Sequence, residues 1–294
     1  MSSLSLRQKS TPLMFLLPSL IIMAFILLVP IIMGLRLSFF EWLLRDISKE
    51  PTFVGLRNYI ELFKSDNFRT SVSVTIRFVL SVVVIEIVAG LILALLLESG
   101  LKGMRFFRTL FVLPIMVAPV VVGVMWRFMY NPSYGKINYL LTQLGFERVG
   151  WLSNPDIALI SVIIADVWQW TPFVFLLALA ALQGVPQDLS DAAVVDGANY
   201  MQKLLRIKLP YIASILGVTA ILRLIDAFRS LVVIFNLTYG GPGVSTEVMS
   251  LHLYKSAFVS QRLGLASAIA VLLLLLIVIL SLGLIVSNLR NKES

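Results

Sequence analysis

Six charged residues lie within stretches that are otherwise apolar: Arg77, Glu86, Asp166, Arg223, Asp226 and Arg229. A charge facing lipid at mid-bilayer costs roughly 2.5–3.5 kcal/mol on insertion scales, so each is expected to face a protein interior or water. Arg223, Asp226 and Arg229 recur every three residues, which puts neighbours on one helical stripe. Two chemistries are open to such a set: a mutually paired structural network, or the lining of a polar path. The segment ADVWQWTPF adds Trp168 and Trp170, with Asp166 and Trp170 on one face at i, i+4. Indole faces suit apolar C–H surfaces such as those of sugar rings, and tryptophans also belt membrane interfaces. With Asn236 these residues form the candidate path: Asp166, Trp168, Trp170, Arg223, Asp226, Arg229 and Asn236.

Covalent chemistry has little to draw on. The chain has no cysteine and one histidine, His252, so thiolates, disulfides and histidine clusters are excluded. An enzyme would have to work with carboxylates alone, and no catalytic or metal-ligating residue is assigned. The glycine-rich GGPGVST could in principle cradle phosphate. It lacks the lysine and the strand–loop–helix setting, and no G-x-x-x-x-G-K-[ST] occurs in the chain. Gly240, Gly241 and Pro242 therefore read as a rigid turn.

The elements that must hold these residues follow from composition. Of 294 residues, 59% are hydrophobic and 14% charged, against about 25% charged in soluble domains. Six runs are long enough to cross a bilayer, at 12–36, 71–97, 106–130, 157–183, 211–236 and 263–287. Lipid cannot satisfy the backbone of open strands, and the alternating signal of a barrel is missing. The expected fold is all-α, a polytopic membrane helical bundle of six transmembrane helices in one domain, 1–294. Pro18, Pro30, Pro114 and Pro119 fall inside these runs and are expected to bend them. Arg7 and Lys9 precede an uncharged run ending at Arg36, longer than a signal-peptide core, so it is expected to be a retained span.

The net charge is 24 − 16 = +8. Most bases flank apolar runs, which marks them as topology determinants near anionic headgroups rather than a nucleic-acid surface. The denser set comprises Arg7, Lys9, Lys102, Arg105, Arg108, Lys203, Arg206, Lys208, Arg290 and Lys292. It predicts cytoplasmic N- and C-termini. Between the first two spans, Leu56, Tyr59, Ile60 and Phe63 share one helix face, expected to lie on the outer membrane surface.

The connector 186–210 is different. Asp188 is placed to cap a helix, with Asp191 three residues on as a weak capping box. Ala192 and Ala193 give a smooth surface, and Gly197 permits a sharp turn. A second short helix follows, carrying Met201, Leu204 and Leu205 on one face, and Pro210 opens the next span.

The pattern Asp191-Ala192-Ala193, Gly197, Leu209-Pro210 resembles the cytoplasmic "EAA" loop of ABC-type importer permeases. Asp191 stands where that family usually has Glu. LTYGGPGVSTEVMSLHLYKSAF, residues 237–258, and FVGLRNY, residues 53–59, are similar to the outer segments of the maltose-type carbohydrate permeases. The resemblance implies the type I ABC importer permease architecture in a bacterial or archaeal plasma (inner) membrane. It implies ATPase coupling through Asp191, Ala192, Ala193, Asp196 and Gly197, and binding-protein docking at Gly240, Gly241 and Pro242. It also implies a second homologous permease, two ATPase subunits that bind ATP and Mg, an extracytoplasmic solute-binding protein, and a carbohydrate or polyol substrate. This chain itself would bind no cofactor. Arg223 and Arg229 leave room for an anionic sugar or glycerol derivative. An ion-coupled secondary transporter is the different-class rival, and it leaves the connector unexplained.

Overall fold

The computed structural model describes residues 6–46, 48, 50–98 and 104–293, with side chains left out at 6–15, 46, 104, 105, 190, 287 and 289–293. Lys102 lies outside the described residues, as do the side chains of Arg7, Lys9, Arg105, Arg290 and Lys292. The chain divides into two compact units, one of residues 1–64 and 253–272, the other of 65–252 and 273–294.

The first unit begins with α1 (Leu6–Leu37), then β1 (Phe40–Glu41), β2 (Thr52–Phe53) and α2 (Arg57–Lys64). The two strands pair antiparallel, Phe40 opposite Phe53 and Glu41 opposite Thr52. Buried Asn58 donates to the carbonyls of Ser38 (2.9 Å) and Phe40 (3.0 Å). Those are backbone acceptors the short hairpin leaves open, and burial requires them to be satisfied. A Cβ on Gly264 would sit 1.9 Å from the Phe40 carbonyl oxygen, so only glycine allows that approach. Glu61 on α2 binds Arg262 through both oxygens, one contact at 2.7 Å. The Arg262 guanidinium holds the Glu61 carboxyl below its usual range, against an opposing effect of burial. Leu56, Ile60 and Phe63 are exposed, in agreement with a face turned outward from the chain, while Tyr59 turns in and donates to Ser38 Oγ at 2.7 Å.

The second unit is built on α3 (Asp66–Glu98), α7 (Pro155–Gln183) and α10 (Leu209–Phe228). Around them lie α4 (Met104–Met116), α5 (Pro119–Met129), α6 (Lys136–Gln143), α8 (Gln187–Val195), α9 (Tyr200–Lys203) and α11 (Val232–Leu237). Residues 204–208 form a π-helical turn running into α10. α12 (Met249–Tyr254) and α13 (Leu263–Glu293) contribute to both units by sequence. Small residues let α3 and α7 approach closely, as membrane helix pairs require. A Cβ on Gly90 would meet Val174 at 2.7 Å. Below that contact Ala94, Leu97, Phe175, Ala178, Leu182 and Ile212 form a core joining α3, α7 and α10. α7 starts where its sequence says: Asn154 caps the Asp156 N–H at 2.9 Å and Pro155 takes the first turn.

Among the described residues, five helices are long and apolar enough to cross a membrane, and a sixth span requires the bent pair α4–α5. The run 106–130 is thus not one straight helix. Ala118 precedes a proline and is held extended (φ −60, ψ 138), so the chain bends by 99° between Met116 and Pro119. The run 211–236 is likewise interrupted. α10 ends at Phe228, Ser230 gives its carbonyl to the Ser250 hydroxyl (2.5 Å), and α11 starts at Val232.

Candidate functional site

Arg223, on α10, is the hub of the charged residues. It is 1% exposed, and its guanidinium is fully engaged. Nε and Nη2 donate to the two oxygens of Glu86 on α3 at 2.6 and 2.9 Å. Nη2 also donates to Asp166 on α7 at 3.1 Å, and Nη1 to Asp226, one turn along α10, at 2.7 Å. The bidentate geometry is what a planar guanidinium offers and an ammonium does not. Trp170 completes the shell with its ring centroid 4.6 Å from the Arg223 carbon, a cation–π contact. One base thus meets three acids at the junction of three helices. Glu86 and Asp166 are as buried as Arg223, whereas the Asp226 side chain is 48% exposed.

The structure brings together four of the seven expected path residues, Asp166, Trp170, Arg223 and Asp226, and leaves three apart. Trp168 turns to the other side of α7, packs edge-on against Trp126 at 5.9 Å and lines an apolar cavity of about 530 Å³ with Phe111 and Pro114. Arg229 is the capping residue just past α10 and is exposed, so the three-residue stripe breaks there. Asn236 sits on α11, where its side-chain amide returns to the Val232 carbonyl at 2.7 Å. Its Cβ packs against Gly123 of α5 so closely that any side chain there would clash (2.8 Å). Arg77 is exposed on α3 and donates to its own helix at Ser73. Glu86, which spacing marks only as one intramembrane charge, is the main partner of Arg223. No sequence signal pairs residues 137 apart.

The turn Gly240–Pro242 is closed by its own hydrogen bonds. Thr246 Oγ1 lies 2.7 Å from Thr238 Oγ1 and donates to the Gly241 carbonyl at 2.9 Å, which leaves Gly240 buried and Gly241 and Pro242 half-buried. Tyr239, in the left-handed region at φ 54, is the exposed residue beside them.

The connector folds as two short helices. α8 starts without a side-chain cap, because Pro186 occupies the capping position and Asp188 falls inside the first turn. Asp188 can still favour the positive helix end. Asp191 accepts from Gln187 at 3.3 Å and has no capping role. The capping box is formed one helix later, by Asn199 and Gln202 at 2.9 Å in both directions. Gly197 makes the turn between them at φ +75, with nothing within 4 Å of an added Cβ. Asp191, Ala192, Asp196 and Gly197 are exposed, and Ala193 is buried. Val194 and Val195 face outward, the latter 87% exposed, as do Met201 and Leu205.

With a helix that exposes Asp191 and Ala192 and ends on a left-handed glycine, and a charged hub joining three helices, the comparison with known proteins is direct. Residues 57–291 match the family described as binding-protein-dependent transport system inner membrane component. The chain belongs to this family. It is an ABC transporter permease subunit, not an enzyme. The trehalose/maltose transport system permease protein MalF of Thermococcus litoralis is 38% identical over 272 residues, covering 92% of this chain and 90% of that protein. The sn-glycerol-3-phosphate transport system permease protein UgpA of Yersinia enterocolitica is 34% identical over 282 residues, covering 95% and 92%. A chain from a bacterial ABC transporter that imports the acidic polysaccharide alginate superposes with a TM-score of 0.83 over 96% of each chain, at 23% identity. That likeness establishes the ABC permease fold. In this permease the contact between Glu98 and Lys208 went unread in the sequence, since Lys208 there marks only the side of the membrane.

Proposed function

We propose that this permease forms half of the translocation path of a carbohydrate importer, driven by ATP bound and hydrolysed on separate subunits. The observation that carries the reading is the exposed segment Asp191–Gly197. Its acids, Ala192 and its outward valines are exposed, while Ala193 anchors the helix to the chain, and the exposed set suits a surface docked by an ATPase subunit. Closure of two such subunits would move α8 and, through Gly197, the start of α9. N- and C-termini and this connector lie on the cytoplasmic side in this reading. A second, homologous permease supplies the other wall of the path, and a loaded solute-binding protein docks near Gly240–Pro242. There Tyr239 presents the exposed surface, and the two glycines hold the turn.

The substrate class is read from the trehalose/maltose relative and from Trp170 and Asp226, an aromatic face beside a partly exposed carboxylate that can accept sugar hydroxyls. Asp166 and Arg223 hold that pair in place. An anionic cargo is the second reading, favoured by the glycerol-3-phosphate relative and by exposed Arg229. Arg223 does not serve it, because every guanidinium nitrogen already meets a carboxylate.

The test is co-purification in mild detergent, followed by ATP hydrolysis of the assembled complex in proteoliposomes. An ATPase subunit that remains bound, and hydrolysis stimulated by binding protein loaded with trehalose or maltose, support the proposal. Stimulation by glycerol 3-phosphate alone supports the second reading. A chain that purifies without an ATPase and transports on an ion gradient overturns both.

A further inference from the structure

Among the described residues Glu98 is the last of α3, an unfavourable place for a carboxylate. A helix C-terminus carries partial negative charge, and no base occupies the last turn of α3 to offset it. Among the described residues the compensation comes from 110 positions away. Lys208 donates from Nζ to Glu98 Oε1 at 2.7 Å, with side chains 18% and 20% exposed. Lys208 ends the π-helical turn that carries the connector into α10, and single π turns inside helices recur at functional positions. The pair borders a polar cleft of about 400 Å³ lined also by Gln183, Gln187, Tyr200 and Lys203, beside the start of α8.

The same two helices meet again at Glu86 and Arg223. Along α3, Glu86 and Glu98 are twelve residues apart, and along α10, Lys208 and Arg223 are fifteen. At 1.5 Å per residue the two ion pairs are separated by ~18 to ~22 Å. Two helices joined at one point can pivot about it. Joined at two points that far apart, with Ala94, Leu97 and Ile212 packed between them, they are held in register at both ends.

We propose that the Glu98–Lys208 ion pair is a positioning contact that makes α3 and α10 a single lever, so that displacement of the connector reaches the Arg223 cluster instead of being lost at the helix ends. The inference rests on the reading of Asp191–Gly197 as the ATPase-docking segment. It adds residues that this reading does not contain.

The chain has no cysteine, so introduced cysteines are its only thiols, and partner subunits freed of cysteine keep the labels confined to it. In the complete transporter, nitroxide pairs at Leu96 with Tyr211, near the ion pair, and at Val84 with Leu222, near the hub, are compared between nucleotide-free and vanadate-trapped states. A single label at Val195 reports whether nucleotide moves the connector. The lever predicts a Val195 response and constant distances for both pairs in the otherwise native chain. In Glu98→Gln or Lys208→Gln, the Leu96–Tyr211 distance is expected to change between states by about 2 Å, the size of a helix shift, while Val84–Leu222 holds. The exchange Glu98→Lys with Lys208→Glu, and Lys208→Arg alone, restore the native pattern. If Val195 responds but Leu96–Tyr211 already changes in the native chain, or stays constant in both glutamine variants, the lever is wrong and the docking segment stands. Failure of the exchange to restore the pattern also overturns the lever, leaving those residues a role in folding only. Silence at Val195 overturns the docking reading, and the lever with it.

Discussion

The Arg223 cluster and the Asp191–Gly197 segment are both charged interruptions of an apolar chain, and the fold treats them in opposite ways. At Arg223 every guanidinium nitrogen is used within the chain, by acids from three helices. At α8 the acids are exposed, the valines point outward and a side chain added at Gly197 would meet nothing. Charge in a membrane protein has to be answered by something. Where the chain answers it, the residues fix helix positions. Where it does not, the charges stay exposed, and the proposed occupant of that surface is another molecule. Removing a residue from the first region should therefore act on stability, and from the second on assembly and coupling.

Arg223→Ala should give the largest loss of stability. It leaves Glu86, Asp166 and Asp226 without their base, and breaking a buried pair in this way costs about 3–5 kcal/mol. Thermal unfolding in detergent should show it, and equal stability of the variant would remove the hub from the account. Val195→Asp should sharpen the contrast. Its side chain is exposed, so the isolated chain should unfold within about 0.5 kcal/mol of native. Its affinity for the ATPase subunit should fall about tenfold or more, as expected from burying a valine at an interface at roughly 1.5–3 kcal/mol. Loss of stability without loss of affinity would place Val195 in the fold instead.

Asp226→Asn lies between the two regions. Half-exposed and, among the described residues, paired with Arg223 alone, it should cost about 1 kcal/mol in the unfolding measurement, the usual value of a single hydrogen bond. Hydrolysis stimulated by the loaded binding protein should fall by a larger factor than this loss of stability accounts for. An unchanged stimulation would take Asp226 out of the path. The smallest effect belongs to Glu61 and Arg262. The Glu61 carboxyl sits below its usual range in the folded chain because Arg262 hydrogen-bonds it. Its contribution is present at neutral pH and is lost as the pH falls through the lowered pKa. Both groups are about one-third exposed or more, which limits the pair to about 1 kcal/mol. Glu61→Gln should flatten the acid side of the melting-temperature profile slightly, and an identical profile would deny the pair any role in stability.

Much of this was legible in the sequence, for physical reasons. Apolar runs give span positions to within a few residues, because a helix must match the bilayer and its ends must be polar. Of the two interruptions, Pro119 signalled a bend but not its 99° size, and the one at Arg229–Leu231 was not legible. Hydropathy averages over Ala118-Pro119 and over Arg229–Leu231, whereas the backbone responds to single residues. The glycine turn at Gly197 was readable, since only a few residue types tolerate its φ. The capping box was misplaced by one helix, because Asp188-Leu189-Ser190-Asp191 and Asn199-Tyr200-Met201-Gln202 both offer the spacing and Pro186 decides between them. The pairing of Arg223 with Glu86 and of Lys208 with Glu98 was out of reach, since long-range partners depend on the packing of α3 against α10.

The central claim, that ATP hydrolysis reaches the spans through the 187–203 connector, rests on the backbone at Gly197. Nothing crowds an added Cβ there, so the only obstacle to substitution is the left-handed φ of +75. Asparagine tolerates that region and valine does not, at roughly 1–2 kcal/mol. The decisive measurement is trehalose imported per ATP hydrolysed by the reconstituted transporter carrying Gly197→Asn or Gly197→Val. The account predicts a native ratio for Gly197→Asn and, for Gly197→Val, a ratio lowered at least about fivefold with the ATPase still bound. A native ratio for Gly197→Val, with the complex intact, would contradict it.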